Sequence, residues 1–268
     1  MNTFDAAELT NRCQRLRSLH QPGKPLLLPN VWDVATARAV VKAGFPVIAT
    51  TSWGVAATLG YEDHEGAPAA EMLAAAARIA RGVDVPVTVD AEAGYGMEPG
   101  ALVAALRAAG AAGCNLEDTE YWPGIPHDHA AGTLRDPTRH AEWLRSVRQA
   151  AEESDYPIVI NARVDCFLSP FIAGAQAGTQ RKLVPEALER ARAYLEAGAD
   201  CVYPIVLWEP DALSRFMSDV RGPVNVTRVP QVSLTDLTSH GVSRVSWALY
   251  LYFASMAHFE DQLRSLQE

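Results

Sequence analysis

Four cysteines in 268 residues, none of them in a CxxC pair, supply neither a disulfide framework nor a zinc-binding spacing. Cys13, Cys114, Cys166 and Cys201 therefore read as reduced core residues of a cytoplasmic protein. Lysine- and arginine-rich patches are also missing, and the formal net charge is -9, which argues against a nucleic-acid partner. That field gives an anionic substrate no general steering, so a cation has to invert it locally. No apolar run approaches the roughly 20 residues of a membrane span, and the polar first 20 residues contain no apolar signal core. No GxGxxG follows the first strand-like run, which argues against a doubly wound dinucleotide-binding sheet. With no linker or low-complexity tract, the chain is expected to form one domain over residues 1–268.

What the chain does contain is a repeat. Eight short runs of strand formers are expected as strands: Leu26–Val31, Val47–Trp53, Val85–Ala91, Cys114–Asp118, Pro157–Val164, Cys201–Leu207, Pro223–Val229 and Val242–Ala248. Between them lie amphipathic helical stretches such as AAEMLAAAARIARG and VPEALERARAYLEAG. Gly44, Gly110, Gly198 and Gly241 each precede a strand by a few residues and are expected to cap helices with positive φ. Strands that are nearly all apolar must be covered on both faces. Eight such units predict a (β/α)8 barrel. Two connections, near 54–68 and 119–136, exceed ordinary βα loops and leave strand C-terminal ends, as lids over an active site would.

Acidic residues end three successive strands: Asp90 and Glu92 in VDAEAGYG, Glu117 and Asp118 in CNLED, and Asp165 beside Arg163 in NARVD. Carboxylates at strand C-terminal ends converge above a barrel, where a hard cation makes them tolerable. Asp90 is expected to ligate Mg2+, or Mn2+, directly, with Glu92 and Glu117 gripping bound waters. Arg163 can clamp a substrate carboxylate in its fork or pair with Asp165 or Glu117. Ser52, Trp53 and Gly54 can form an anion-binding corner, although Trp53 also suits a core. Asn225 and Thr227 can donate to an anion or merely bond at a strand end. Asp63 can orient a metal-bound water, transfer protons, or be a solvated loop acid. His127 and His129, on the second long connection, can transfer protons or simply be exposed.

At these positions the chain resembles the isocitrate lyase/phosphoenolpyruvate mutase superfamily. The motifs are LPNVWD, SWGVAATLGYED, TVDAEAGYG, GAAGCNLED, INARVD and PVNVT, in order from about Leu28 to the last helix. The resemblance implies a (β/α)8 barrel that binds Mg2+ through Asp90, Glu92 and Glu117, with Asp63 near the metal shell. It implies substrate contacts from Ser52, Trp53, Gly54 and Arg163, and an enolate of an α-keto acid as the species stabilised. It further implies a homo-oligomer, dimer or tetramer, whose last helix is exchanged between subunits. The stretch WALYLYFASMAHFEDQL is apolar enough to suit that exchange.

The departures shape the expected reaction. The lyases of that family carry a catalytic cysteine on the loop after the fourth strand, where this chain reads TEYWPGIPHDH; the phosphonate enzymes carry a lysine where Thr119 stands. Asp-x-Asp is replaced by Asp90-x-Glu92. The expected activity is therefore carbon–carbon cleavage or decarboxylation of a small α-keto or 2-hydroxy (di)carboxylate. Asp63, Tyr121, His127 or His129 supplies any proton transfer. A phosphonate P–C mutase or hydrolase, and a keto-acid-binding barrel without turnover, are the alternatives.

Overall fold

The computed structural model describes residues 4–121, 133–176 and 178–266. Among them, strands and helices alternate to build a (β/α)8 barrel. The barrel strands are β1, in two pieces (Leu26–Leu28 and Asn30–Val31), β2 (Ile48–Thr50), β3 (Val87–Asp90), β4 (Gly113–Glu117), β5 (Val159–Val164), β6 (Cys201–Pro204), β7 (Asn225–Thr227) and β8 (Arg244–Ser246), and outside the barrel Thr119–Glu120 pairs antiparallel with Thr133–Leu134. All eight barrel strands are paired in parallel, and all but β4, which is shifted one residue towards the N-terminus, are shorter than the apolar run that contains them. The second piece of β1 starts a six-stranded sheet running through β2 to β6, while its first piece pairs with β8, which pairs with β7. The break in β1 falls at Pro29, which has no N–H to give a ladder. A single bridge, Val202 to Val224, joins the two sheets on the other side.

The helices are α1 (Ala6–Ser18), α2 (Val34–Lys42), α3 (Ser52–Leu59), α4 (Ala69–Arg81), α5 (Pro99–Ala109), α6 (Pro137–Glu153), α7 (Leu168–Ile172), α8 (Thr179–Glu196), α9 (Pro210–Asp219), α10 (Leu234–Ser239) and α11 (Tyr250–Ser265). The four glycines expected to cap helices take φ of +91° (Gly44), +74° (Gly110), +101° (Gly198) and +79° (Gly241). At Gly110 the requirement is double, because a Cβ would also stand 2.3 Å from the Phe4 ring. The connection expected to be irregular from residue 54 to 68 is helix α3 as far as Leu59, ended by Gly60 at φ +87°. Only residues 60–68 of it remain outside a helix.

The core lies between sheet and helices and inside the cylinder, and all four cysteines are free and buried in it. Among the described residues no helix is long and apolar enough to cross a membrane. Helix α11 buries none of its residues, and leaves Phe253, Phe259 and Leu263 exposed.

Candidate active site

A cavity of about 280 Å³ opens among residues that end β2, β3, β5, β6 and β7, the end where barrel loops carry chemistry. Ser52, Trp53, Asp63, Asp90, Arg163 and Thr227 line it. Glu92, Glu117, Gly54, Asn225 and Tyr121 do not. His127 and His129 lie outside the described residues.

Asp90 is the last residue of β3, and two local features aim it. Its N–H donates to Thr50 Oγ1 at 2.8 Å, and its Oδ2 accepts from the Ser52 N–H at 3.2 Å. Ser52 is the first residue of α3, so the helix N-terminus holds the carboxylate of its own chain. The anion-binding corner expected at Ser52–Gly54 is thus filled from within. Gly54 serves packing instead: a Cβ there would meet Trp32 Cβ and Thr51 Cγ2 at 2.9 Å, and Tyr252 of α11 at 3.3 Å. Trp53 lines the cavity with its ring 5.3 Å from that of Phe253.

Asp90 shares its surroundings with two more carboxylates, Asp63 and Glu92. Asp63 Oδ1, Asp90 Oδ1 and Glu92 Oε2 are buried and have no hydrogen-bond partner. Glu92 Oε1 accepts from the Glu65 N–H at 2.6 Å. Burial, then the Asp90 charge, pushes Asp63 up to about 6. Burial, then Asp63, pushes Glu92 up to about 8. No three His, Cys, Asp or Glu side chains among the described residues form a ready-made cage for direct ligation. Mg2+ needs none, because it keeps most of its waters and takes one or two carboxylates directly. Three orphaned oxygens with a shared excess of negative charge fit such an ion.

Glu117 has a side-chain partner on each oxygen. Its Oε1 accepts from the Tyr121 hydroxyl, and its Oε2 pairs with Arg163 Nη1. Both oxygens are committed, so Glu117 is tied to the arginine, level with it in the sheet register, while still adding negative charge near Asp90. Arg163 is gripped from the other side by Asp165, Nε to Oδ1 at 2.6 Å and Nη2 to Oδ2 at 3.1 Å. Burial opposes its charge, but Asp165 and Glu117 outweigh that and keep the guanidinium protonated. Thr119 Oγ1 donates to Asp165 Oδ2 at 2.6 Å, and Asp118 accepts the Asp165 N–H at 2.9 Å. Asp118 is in turn held by Arg190 at 3.0 Å and the Tyr194 hydroxyl at 2.7 Å. Of the two uses open to Arg163, the structure shows the internal ion pair.

Asn225 and Thr227 are also spent internally. The Asn225 amide bonds Ser246 Oγ at 3.1 Å, and Thr227 Oγ1 accepts the Val206 N–H at 3.1 Å beside the Tyr203 hydroxyl at 2.8 Å. Thr227 still borders the cavity, whereas Asn225 does not. His64 is among the cavity residues that the sequence did not point to. His64 Nδ1 lies 3.1 Å from the Tyr121 hydroxyl, which is itself bonded to Glu117. Its only sequence signal is adjacency to Asp63. Six residues other than glycine around these groups hold positive φ: His64, Glu65, Glu92, Tyr95, Val206 and Ala248. Such strain persists where surrounding structure over-determines it, and it gathers at functional sites.

The pKa pattern predicts an unusual pH response. Glu92 binds a proton more tightly folded than unfolded, so its stabilising contribution is present below its unfolded value and lost as pH rises through about 8. His20 and His140, depressed by burial to about 4 and about 3, tilt stability the other way, but only below about 6.5. In EDTA the melting temperature is expected to fall from pH 6.5 to 8, and a flat or rising profile in differential scanning calorimetry would contradict the carboxylate cluster.

A sequence profile of the phosphoenolpyruvate phosphomutase family matches residues 16–267. The chain belongs to the isocitrate lyase/phosphoenolpyruvate mutase superfamily. Within that superfamily it is 33% identical over 238 residues to an uncharacterised protein of Mycobacterium tuberculosis, covering 89% of this chain and 83% of the relative. It is 29% identical over 262 residues to a Corynebacterium glutamicum protein named a probable 2-methylisocitrate lyase, covering 95% and 80%. A crystal structure from Burkholderia cenocepacia, provisionally described as a phosphonomutase, superposes with TM-score 0.85 at 37% identity, covering 96% of this chain and 99% of that one. Superfamily relatives thus carry both lyase and mutase names.

Proposed function

We propose that the chain is a carbon–carbon lyase or decarboxylase that uses Mg2+, or Mn2+, and acts on a small α-keto or 2-hydroxy acid. The observation that supports this reading best is the trio of orphaned carboxylate oxygens on Asp63, Asp90 and Glu92, whose charges repel one another while Arg163 is already paired with Asp165 and Glu117. Uncompensated buried carboxylates are costly, and a divalent ion removes that cost. Asp90 and Glu92 would hold the ion, with Asp63 gripping a bound water. Such an ion would supply Lewis-acid stabilisation of the negative charge that develops as a carbon–carbon bond breaks.

The remaining work falls to side chains. Ser52 fixes Asp90 through the α3 N-terminus. The Arg163–Asp165–Asp118 network fixes Glu117. His64, held beside Tyr121 and Glu117, moves a proton to or from the reacting group. The same reading includes self-association through α11, whose exposed Phe259 and Leu263 suit burial against another copy.

Product release from a panel of 2-oxo and 2-hydroxy acids, with Mg2+ and with EDTA, tests the proposal. The expected result is turnover that chelation abolishes and added metal restores. Turnover indifferent to EDTA would overturn the metal assignment. Phosphonopyruvate belongs in the panel: P–C cleavage in place of C–C cleavage would make the protein a phosphonate enzyme. Metal-dependent binding of keto acids without turnover would make it a binding barrel.

A further inference from the structure

Arg244, the first residue of β8, is fully buried, and its Nε and Nη1 have no hydrogen-bond partner. Among the described residues its side chain makes one hydrogen bond, from Nη2 to Asn115 Oδ1 at 3.1 Å. The same oxygen accepts from Asn161 Nδ2 at 2.8 Å. A guanidinium can only donate, so the Asn115 atom that faces it must be the oxygen. Oδ1 is thereby turned to Arg244 and Asn161, and Nδ2 is left over. Among the described residues Nδ2 has no partner, while Asn115 borders the cavity.

Neighbouring neutral groups of the cavity wall are committed. Asn30 bonds the Thr50 carbonyl and the Ala248 N–H, Ser246 and Asn225 bond each other, and Tyr203 and Thr227 share a hydrogen bond. Asn115 lies opposite Asp90 in the sheet register, so the two side chains leave the sheet on one face, and both border the cavity. A donor with two uncommitted hydrogens thus stands beside the carboxylate at the centre of the site.

We infer that Asn115 is a substrate-binding residue whose Nδ2 donates to an oxygen of the acid's keto or hydroxy carboxylate head, and that Arg244 is the positioning residue that turns the amide that way. The identity of the head rests on the function proposed above; the donor rests on the fixed direction of the amide. Asn115 and Asn161 by themselves can turn over together and keep their mutual bond, which would set an oxygen against an anionic head. The donor-only guanidinium forbids that state. As negative charge gathers on the head, an N–H already aimed at it needs no reorganisation.

Calorimetric titration of the Mg2+-loaded full-length protein with oxalate, a planar dianion shaped like an enolate beside a carboxylate, tests both roles. Asn115→Leu is expected to weaken oxalate roughly ten- to a hundredfold, the worth of one hydrogen bond to a charged acceptor. Arg244→Met is expected to weaken it less, and Arg244→Lys, which restores a donor-only cation, to recover most of that loss. An arginine that only supported the fold would leave the affinity of the folded Arg244→Met protein unchanged. Asn115→Leu strands the guanidinium, so Asn115→Leu combined with Arg244→Met, apolar at both ends, is titrated if the single variant does not fold. If oxalate binds the unaltered protein and the folded Asn115 variant equally well, the inference falls and the head assignment stands. If oxalate does not bind the unaltered protein with Mg2+, the proposed function itself falls.

Discussion

Asp90→Asn is expected to cut kcat/KM by on the order of a hundredfold or more and, with metal removed, to raise the melting temperature. Both effects come from one carboxylate. Its Oδ1 is buried without a partner, and its charge raises Asp63 and Glu92. Asparagine keeps the hydrogen bond from the Ser52 N–H, because an amide oxygen caps a helix nearly as well as a carboxylate. What disappears is repulsion in the empty site and attraction in the loaded one. Each kcal/mol of relief is worth roughly 2–4 °C in a chain of this size. Such a gain in stability at the cost of activity is the usual signature of a site that is strained for function. Thermal scans with and without Mg2+, beside steady-state kinetics, read both effects. A variant with unchanged metal-dependent ligand affinity, or with a lower melting temperature in EDTA, would show that Asp90 plays another part.

Arg163→Met is the second large effect, and it acts on the fold as well as on the site. The substitution leaves Glu117 and Asp165, both almost fully buried, facing an apolar side chain. Removing one partner of a buried ion pair costs about 3–5 kcal/mol, which here corresponds to a melting temperature lowered by on the order of 10 °C. Arg163→Lys keeps the charge but cannot reach Glu117 and both oxygens of Asp165 at once, so an intermediate loss is expected. Combining Arg163→Met with Glu117→Gln should recover part of the stability and none of the activity. A loss below about 1 kcal/mol in chemical denaturation of Arg163→Met would mean that the network is held elsewhere.

The barrel was readable because its signals are local. Apolar runs, helical periodicity and a glycine before a strand each act over a few residues, and the four capping glycines take the backbone conformation that their spacing requires. Strand lengths were less readable, since Val85, Pro157 and Leu207 continue an apolar run past the last ladder bond. Positions in the site followed their strands, which is why Asp90, Arg163, Ser52 and Thr227 reach one cavity. Partners did not follow. Gly54 answers to Tyr252, almost two hundred residues away; Asn225 answers to Ser246; and Glu117 is claimed by Arg163 and Tyr121. Nothing in the order of residues announces those distant contacts. His64 was missed because a turn residue has no periodicity to mark it, and its role comes from Tyr121, on a different loop.

The division of β1 at Pro29 has a mechanical consequence. The cylinder is built from a broad panel and a narrow one, and the two meet at that proline and again at the Val202–Val224 bridge. Asn30, directly after the proline, stitches the first junction: its amide donates to the Thr50 carbonyl at 2.9 Å, and its oxygen accepts the Ala248 N–H at 2.8 Å. Because Asn30 also borders the cavity, a molecule bound there is expected to stabilise the folded barrel by mass action, this junction included.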